Sequence, residues 1–211
     1  MRIVIFAGGA GRRLWPISRE SSPKQFEPIV GDESTLQLAV ERVAPAYGID
    51  NVYIATNARY TSIVRRQLPD VPGANILAEP ARRDLGAAVG LAMAHLARLG
   101  ADEPVAILWS DNYIENVPAF VALLQAAEKL IADKTADILF IGETPRFANE
   151  NLGWIGLGEF AGQVEAMPYY GFQSLTYRPP LERCREMFAQ GTHVWNTGFF
   201  VTTPAYVPRL Y

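Results

Sequence analysis

The chain has 211 residues, of which 49% are hydrophobic and 19% are charged, and its formal net charge is −3. This composition excludes a disordered chain, and the length suits one large domain or a domain with an appendage. The negative charge argues against a nucleic-acid partner, which usually needs a basic face. No apolar run reaches membrane-spanning length, and the single cysteine, Cys184, excludes a disulfide framework. We therefore expect a folded cytoplasmic protein without nucleic-acid or membrane partners.

Short apolar runs alternate with helical patterns along the first two thirds of the chain. The predicted strands are 2–7, 51–56, 74–79, 104–109 and 136–142, and the predicted helices are 34–48, 60–68, 84–100 and 117–133. Continuously apolar strands are typical of a parallel sheet buried on both faces. The alternation predicts an α/β fold, a three-layer Rossmann-like domain with a mostly parallel sheet. Ligands bind at the carboxyl ends of such strands, which makes the loops 7–24, 79–86 and 110–116 the candidate site.

The pattern changes after about residue 143, where glycine and aromatic residues become frequent and no long helical period appears. Shorter strands are predicted there, with one helix over 180–191 that ends at Gly191 and a strand from residue 193. We therefore predict an α/β core over 1–142 and a smaller β-rich lobe over 143–211, packed on the same domain.

A glycine-rich stretch, AGGAGRRLWP, follows the first predicted strand. Gly8, Gly9 and Gly11 can adopt positive φ and leave backbone N–H groups accessible, which is the usual construction of a phosphate-binding loop. Arg13 and Lys24 add cations to the same loop. The stretch is neither a Walker loop nor a dinucleotide fingerprint. A tight turn with solvated arginines is the alternative, but the cations favour a polyphosphate site.

The longer stretch FAGGAGRRLWPISRESSPKQF resembles the signature of the sugar-1-phosphate nucleotidyltransferases, and it is most similar to their mannose-1-phosphate guanylyltransferase branch. The resemblance implies synthesis of GDP-mannose and pyrophosphate from GTP and mannose 1-phosphate, with Mg²⁺ as cofactor. It also implies that Ala7 and the three glycines bind the nucleotide, and that Arg13 and Lys24 act in catalysis. Homodimer formation is a further expectation from the resemblance.

Two later segments extend the resemblance. AEPARRDLGAAVGLA (78–92) places Glu79 where the family reads guanine, and a carboxylate can accept from both the N1–H and the amino group of that base. In the same segment, the resemblance implies that Asp84, which stands in place of the family's Asn, contacts the nucleotide. ILWSDNYIENVPAF (107–120) places Asp111 where the family holds Mg²⁺. The alternatives are a solvated strand-end carboxylate for Glu79 and a turn cap for Asp111.

The lobe resembles the sugar-binding half of the family. NLGWIGLG supplies Gly153, and HVWNTGFF supplies Asn196, whose amide can both donate to and accept from sugar hydroxyls. In LTYRPP, Tyr177 and Arg178 stand where the family has a sugar-binding Glu and a phosphate-binding Lys. Arginine keeps the positive charge but changes the hydrogen-bonding geometry.

Two departures from the family pattern leave alternatives open. The family continues to a second acidic metal ligand that residues 204–211 do not reach, so we expect either a chain truncated at its C-terminus or a naturally short protein with an incomplete metal site. Tyr177 and Leu85 differ from the family residues. The alternatives are a sugar-1-phosphate nucleotidyltransferase that uses UTP, dTTP or CTP, and a non-catalytic nucleotide-sugar-binding protein.

Overall fold

The computed structural model describes residues 1–9, 23–81, 83–100 and 102–210. The chain forms two compact units, Met1–Ile138 with Val201–Tyr211, and Leu139–Phe200. The predicted division, by contrast, placed the whole of 143–211 in the lobe. The chain returns to the first unit at Val201. There the Thr202 hydroxyl donates to the Asp137 carbonyl at 2.7 Å, a long-range contact that no local sequence pattern reveals.

The first unit is built on a parallel sheet. Its strands are β1 (Arg2–Phe6), β2 (Pro28–Val30), β3 (Glu33–Ser34), β4 (Val52–Asn57), β5 (Ile76–Glu79) and β6 (Val105–Trp109). Four of them pair in parallel in the order β5-β4-β1-β6, while β2 and β3 form a separate antiparallel pair that the sequence did not predict. The predicted α/β class with a mostly parallel sheet is confirmed.

The core of the first unit lies along its central strands. Ile3, Ile5, Ile54 and Ile107 are fully buried, as the continuous apolar runs predict. Because β1 lies between β4 and β6, the segments that follow these three strands begin side by side at one edge of the sheet.

The helices of the first unit are α1 (Thr35–Tyr47), α2 (Thr61–Gln67), α3 (Asp84–Arg98) and α4 (Val117–Ala132). A capping box begins α1, where the Ser34 hydroxyl accepts from the Gln37 N–H and the Gln37 side chain accepts from the Ser34 N–H. The Asn116 side chain caps α4. In the described part of the chain, no helix combines the length and apolar character needed to span a membrane.

The second unit contains three strands in antiparallel pairing, together with a fourth strand and one helix. Its elements are β7 (Ile138–Glu143), β8 (Gly153–Val164), β9 (Met167–Tyr177), α5 (Leu181–Gln190) and β10 (His193–Thr202), of which β7 and β10 extend into the first unit at their outer ends. β8 lies between β10 and β9, and β7 pairs with β10. Trp154, Cys184, Met187 and Trp195 form a buried cluster. This small core supports the three-stranded surface on which the predicted sugar-binding residues lie.

A two-residue turn joins β8 to β9. Val164 pairs with Met167, and the two residues between them, Glu165 and Ala166, have φ values of 49° and 72°. Positive φ at both central positions is the requirement of a type I′ turn, which favours glycine or asparagine. Neither residue here is of that kind, so the turn is strained.

Replacing Ala166 with glycine should stabilise the protein. We expect Ala166→Gly to raise the free energy of unfolding by about 1 kcal/mol, because glycine has no Cβ to oppose positive φ. Urea denaturation measures the change. The control is Ala161→Gly on an exposed position of β8, where glycine should destabilise by roughly 0.5–1 kcal/mol. Changes of the same sign in both variants would contradict the prediction.

Candidate functional site

A cleft of about 270 Å³ lies at the carboxyl edge of the sheet in the first unit, and its volume is close to the lower end of the range for small-ligand sites. Its lining residues are Phe6, Gly8, Gly9, Lys24, Gln25, Glu79, Asp84, Leu85, Ala88, Trp109, Ser110 and Asp111. Six of these were predicted from the sequence as nucleotide or catalytic residues. Two other predicted residues, Gly11 and Arg13, lie outside the described residues.

The glycine loop begins at a firmly held peptide. The Ala7 N–H donates to the Ala55 carbonyl at 2.8 Å. The Ala7 carbonyl accepts from the Thr56 hydroxyl at 2.7 Å and from the Gln25 amide at 3.0 Å. Both donor side chains are buried, so the backbone that leads into Gly8 is fixed from β4 and from the segment after the loop. Sequence reasoning missed Thr56, because nothing within a strand pattern shows what its hydroxyl will contact.

Lys24 and Asp111 form an ion pair at the mouth of the cleft. Lys24 begins the short turn Lys24–Phe26, which a hydrogen bond from the Phe26 N–H to the Pro23 carbonyl closes at 2.9 Å. Asp111 follows β6, and its side chain is 37% exposed. The pair therefore presents an ammonium group and a carboxylate to the same ligand-sized space, which suits a phosphate group accompanied by a cation.

Glu79 ends β5 and is half-buried beside the glycine loop. Burial raises the pKa of its carboxyl group. A Cβ placed on Gly8 would lie 3.7 Å from Oε1 of Glu79, so the backbone of the loop and the carboxylate are close neighbours. A partly desolvated carboxylate is a strong acceptor for a ligand that offers N–H donors, since the ligand replaces the hydrogen bonds to water.

The start of α3 tolerates one departure from the family pattern, Asp84 in place of asparagine. Asp84 has φ 64° in the left-handed region, which asparagine and aspartate tolerate better than other non-glycine residues. An Asn-to-Asp replacement is therefore compatible with this backbone. The next residue, Leu85, is exposed and lines the cleft with Ala88. Apolar surface there continues on Phe6 and Trp109, whose ring centroids are 5.0 Å apart.

The second unit brings the predicted sugar-binding residues together. Gly153 on β8 pairs with Asn196 on β10 and with Tyr177 on β9, so the three lie in one row across the sheet. A Cβ on Gly153 would lie only 3.3 Å from that of Asn196, which favours glycine at this position. The Asn196 side-chain oxygen accepts from the Gly198 N–H at 2.9 Å, and this contact fixes the amide.

Arg178 follows Tyr177 and stacks on it. The guanidinium carbon lies 5.3 Å from the centroid of the Tyr177 ring, and the Arg178 N–H donates to the Leu152 carbonyl at 3.3 Å. Arg178 has φ 48°, a strained conformation for a residue with a long side chain. Both side chains are exposed, and the stacking holds the cation at the end of the Gly153 row.

The sequence of the chain matches the nucleotidyl transferase family over residues 2–209. The chain belongs to this family.

Named relatives of this nucleotidyl transferase include mannose-1-phosphate guanylyltransferase RfbM of Salmonella typhimurium, 32% identical over 203 residues. The alginate biosynthesis protein AlgA of Pseudomonas aeruginosa is 34% identical over 200 residues. Each alignment covers 94% of this chain but only 41% and 40% of the relative. The solved structure of mannose-1-phosphate geranyltransferase from Thermus thermophilus superposes with a TM-score of 0.85 at 28% identity, covering 99% of this chain and 59% of that one. The chain thus spans about two fifths of the curated relatives it matches.

Nucleotidyl transferases generally use a divalent metal ion. Among the described residues, no three His, Cys, Asp or Glu side chains are grouped so that they could hold a metal by themselves. Asp111 does fit a Mg²⁺ ion, because its carboxylate is a hard oxygen donor that opens onto the cleft. Mg²⁺ commonly binds through one or two carboxylates together with substrate phosphates and water.

Replacing Thr56 with valine should weaken nucleotide binding. Valine has the same shape but cannot donate to the Ala7 carbonyl, so we expect a loss of about 1 kcal/mol in unfolding free energy. We also expect an approximately fivefold lower affinity for GTP, the nucleotide expected from the sequence. Isothermal calorimetry and urea denaturation measure the two effects.

The matched control is Thr202→Val. Thr202 is equally buried and also donates to a backbone carbonyl at 2.7 Å, but it does not line the cleft. Loss of the Thr202 hydroxyl should lower the free energy of unfolding about as much as loss of the Thr56 hydroxyl does, and it should leave the affinity for GTP unchanged. If both variants bound GTP equally well, the anchoring of the loop by Thr56 would be disproved.

Replacing Glu79 with glutamine should stabilise the protein at neutral pH. Burial raises the pKa of Glu79 above its ordinary value of 4.5, so the folded state holds the proton more tightly than the unfolded state. Protonated Glu79 therefore contributes stability that is complete below pH 4.5 and is lost as the pH rises through the pKa of Glu79 in the folded state. Thermal unfolding should therefore show Glu79→Gln more stable than the native protein at pH 7–8, with the difference disappearing near pH 4. The control is Glu115→Gln at an exposed position. An equal gain in stability from this variant would show that burial of the Glu79 carboxyl group is not the cause.

Proposed function

We propose that the chain carries the catalytic part of a mannose-1-phosphate guanylyltransferase, which forms GDP-mannose and pyrophosphate from GTP and mannose 1-phosphate. The observation that carries the proposal is the cleft in which Gly8, Gly9, Lys24, Glu79 and Asp111 converge. Family membership supports the reaction class, and a relative named for this reaction supports the choice of substrates.

In the proposed reaction, a phosphate oxygen of mannose 1-phosphate attacks the α-phosphorus of GTP. The bond from that phosphorus to the bridging oxygen of the β-phosphate breaks, and pyrophosphate leaves with the electron pair. A sugar phosphate is already an anion at neutral pH, so no general base is needed. Catalysis then consists of positioning and charge stabilisation. Backbone N–H groups of the glycine loop hold the triphosphate, while Lys24 and Arg13 stabilise charge on its oxygens.

Asp111 is the proposed Mg²⁺ ligand. When bound, the ion supplies charge neutralisation at phosphate oxygens. The role of the chain is to hold the carboxylate at the mouth of the cleft and to keep Lys24 beside it. Lys24 is then placed to exchange its carboxylate partner for a phosphate oxygen when the substrate enters.

Glu79 is the proposed reader of guanine. Its carboxylate accepts from the N1–H and the amino group of the base, whereas uracil, thymine and cytosine lack this pair of donors in the same arrangement. The apolar surfaces of Leu85 and Ala88 line the same cleft and can pack against a base. Asp84 completes the proposed nucleotide contacts from the start of α3.

The row of Gly153, Asn196 and Tyr177 is the proposed sugar site. The amide of Asn196 and the hydroxyl of Tyr177 can both hydrogen-bond to sugar hydroxyls, and Arg178 binds the sugar phosphate. Tyr177 replaces an acidic residue of the family, so it supplies one neutral hydroxyl where the family has a carboxylate. Homodimer formation and a cytoplasmic location are retained as predictions.

The test is pyrophosphate release by the protein with GTP, mannose 1-phosphate and Mg²⁺, beside UTP, dTTP, CTP and other sugar 1-phosphates. We expect release that needs all three components and falls about 100-fold or more in Asp111→Asn, because charge stabilisation at the reacting phosphates is lost. Asp70→Asn, at an exposed position outside the cleft, is the control and should retain full activity.

Two results would contradict the proposal in different ways. A preference for UTP, dTTP or CTP would show that Glu79 does not select guanine, although the reaction class would stand. Measurable GTP binding without turnover of any substrate pair would instead identify a non-catalytic nucleotide-sugar-binding protein.

A further inference from the structure

Arg42 is a buried cation in the middle of α1, and no sequence motif drew attention to it. Its relative exposure is 7%. Burial lowers the pKa of the guanidinium group, which reflects the cost of keeping this charge away from water. A lysine or arginine so deeply buried is uncommon unless its charge or its hydrogen bonds are needed.

The guanidinium group holds the segment that follows β6. One of its nitrogens donates to the Asn112 carbonyl at 2.9 Å. Its central carbon lies 5.8 Å from the centroid of Phe120, in the first turns of α4. Arg42 therefore contacts both the beginning of the β6–α4 connection and the helix in which that connection ends.

Asp111 lies between two fixed points of this connection. On one side, Ser110 is buried, and its N–H donates to the Phe6 carbonyl at 3.2 Å. On the other side, the Asn112 carbonyl accepts from Arg42. Asp111 itself is exposed to the cleft and pairs with Lys24. The backbone of this one residue is thus restrained at both neighbours, while its carboxylate is available to a ligand.

We propose that Arg42 is a positioning residue that holds the Asp111 carboxylate in the orientation needed to receive a divalent cation together with nucleotide phosphates. The inference rests on the proposed function, because it assigns Asp111 as the metal ligand. A water molecule or neutral donor could satisfy the Asn112 carbonyl. The guanidinium group of Arg42 makes a stronger hydrogen bond because it is charged, and it makes that bond to the residue that follows Asp111 in the chain.

The experiment measures metal binding directly. Mn²⁺ binding to the protein with GTP present is followed by electron paramagnetic resonance, and Mg²⁺ activation of pyrophosphate release is measured in parallel. Arg42→Met should raise the dissociation constant for Mn²⁺ by about tenfold, because the backbone next to Asp111 loses the hydrogen bond that orients the carboxylate. It should raise the half-saturating Mg²⁺ concentration similarly, with a smaller change in KM for mannose 1-phosphate.

Two further variants separate positioning from general stability. Arg42→Lys retains the charge and a donor, and we expect it to recover part of the metal affinity. Arg2→Met removes a partly buried arginine that also lies over an aromatic ring, that of Tyr53 at 5.9 Å, but at the opposite end of β1 from the cleft. It should lower the melting temperature and leave metal binding unchanged. If Arg42→Met does not fold, Arg42→Lys and Phe120→Leu, which removes the ring beneath the cation, must each weaken Mn²⁺ binding.

Failure of this inference can be distinguished from failure of the proposed function. Normal turnover in the native protein with unchanged Mn²⁺ binding in every Arg42 variant would overturn the role of Arg42 alone. Absence of turnover in the native protein, with Mn²⁺ binding that still depends on Arg42, would reject the enzyme activity and keep the positioning role.

Discussion

The cleft depends on the two hydrogen bonds that the buried Ala7 carbonyl accepts. This carbonyl accepts from Thr56 on β4 and from Gln25, which follows the glycine loop. A buried carbonyl with two donors is strongly restrained, because breaking either bond leaves a polar group unsatisfied in the core. The two ends of the loop are therefore tied to one atom at the end of β1. The parallel pairing of the strands places Phe6, Glu79 and Trp109 relative to this point.

The fold could be predicted from the sequence because its signals are local and repeated. Continuous apolar runs and helical periods located the four parallel strands and the four helices of the first unit. The position of the cleft also followed, since parallel strands expose their carboxyl ends together. Glu79 and Asp111 were identified through the family resemblance, and in the structure Glu79 ends β5 while Asp111 lies two residues beyond β6.

The supporting residues could not be predicted, for a physical reason. The hydrogen bonds from Thr56 to Ala7 and from Arg42 to Asn112 join residues that are 49 and 70 positions apart in the chain. Within a strand or a helix, each looks like an ordinary member of its periodic pattern. The return of the chain to the first unit at the end of β10 likewise involves a distant contact, from Thr202 to Asp137. Sequence patterns report the periodicity of an element, and they do not report what a particular side chain will contact.

The ion pair between Lys24 and Asp111 couples the binding of the two ligands that each partner would attract. A metal ion alone must displace Lys24 from the carboxylate, and a polyphosphate alone must displace Asp111 from the ammonium group. Each ligand by itself therefore bears the whole cost of separating the pair. When both are present, the pair separates once and each charge acquires a new counterpart. With the proposed roles of Asp111 and Lys24, linkage requires that each ligand increase the affinity for the other by the same factor, so the cleft would favour the metal–nucleotide complex over either component.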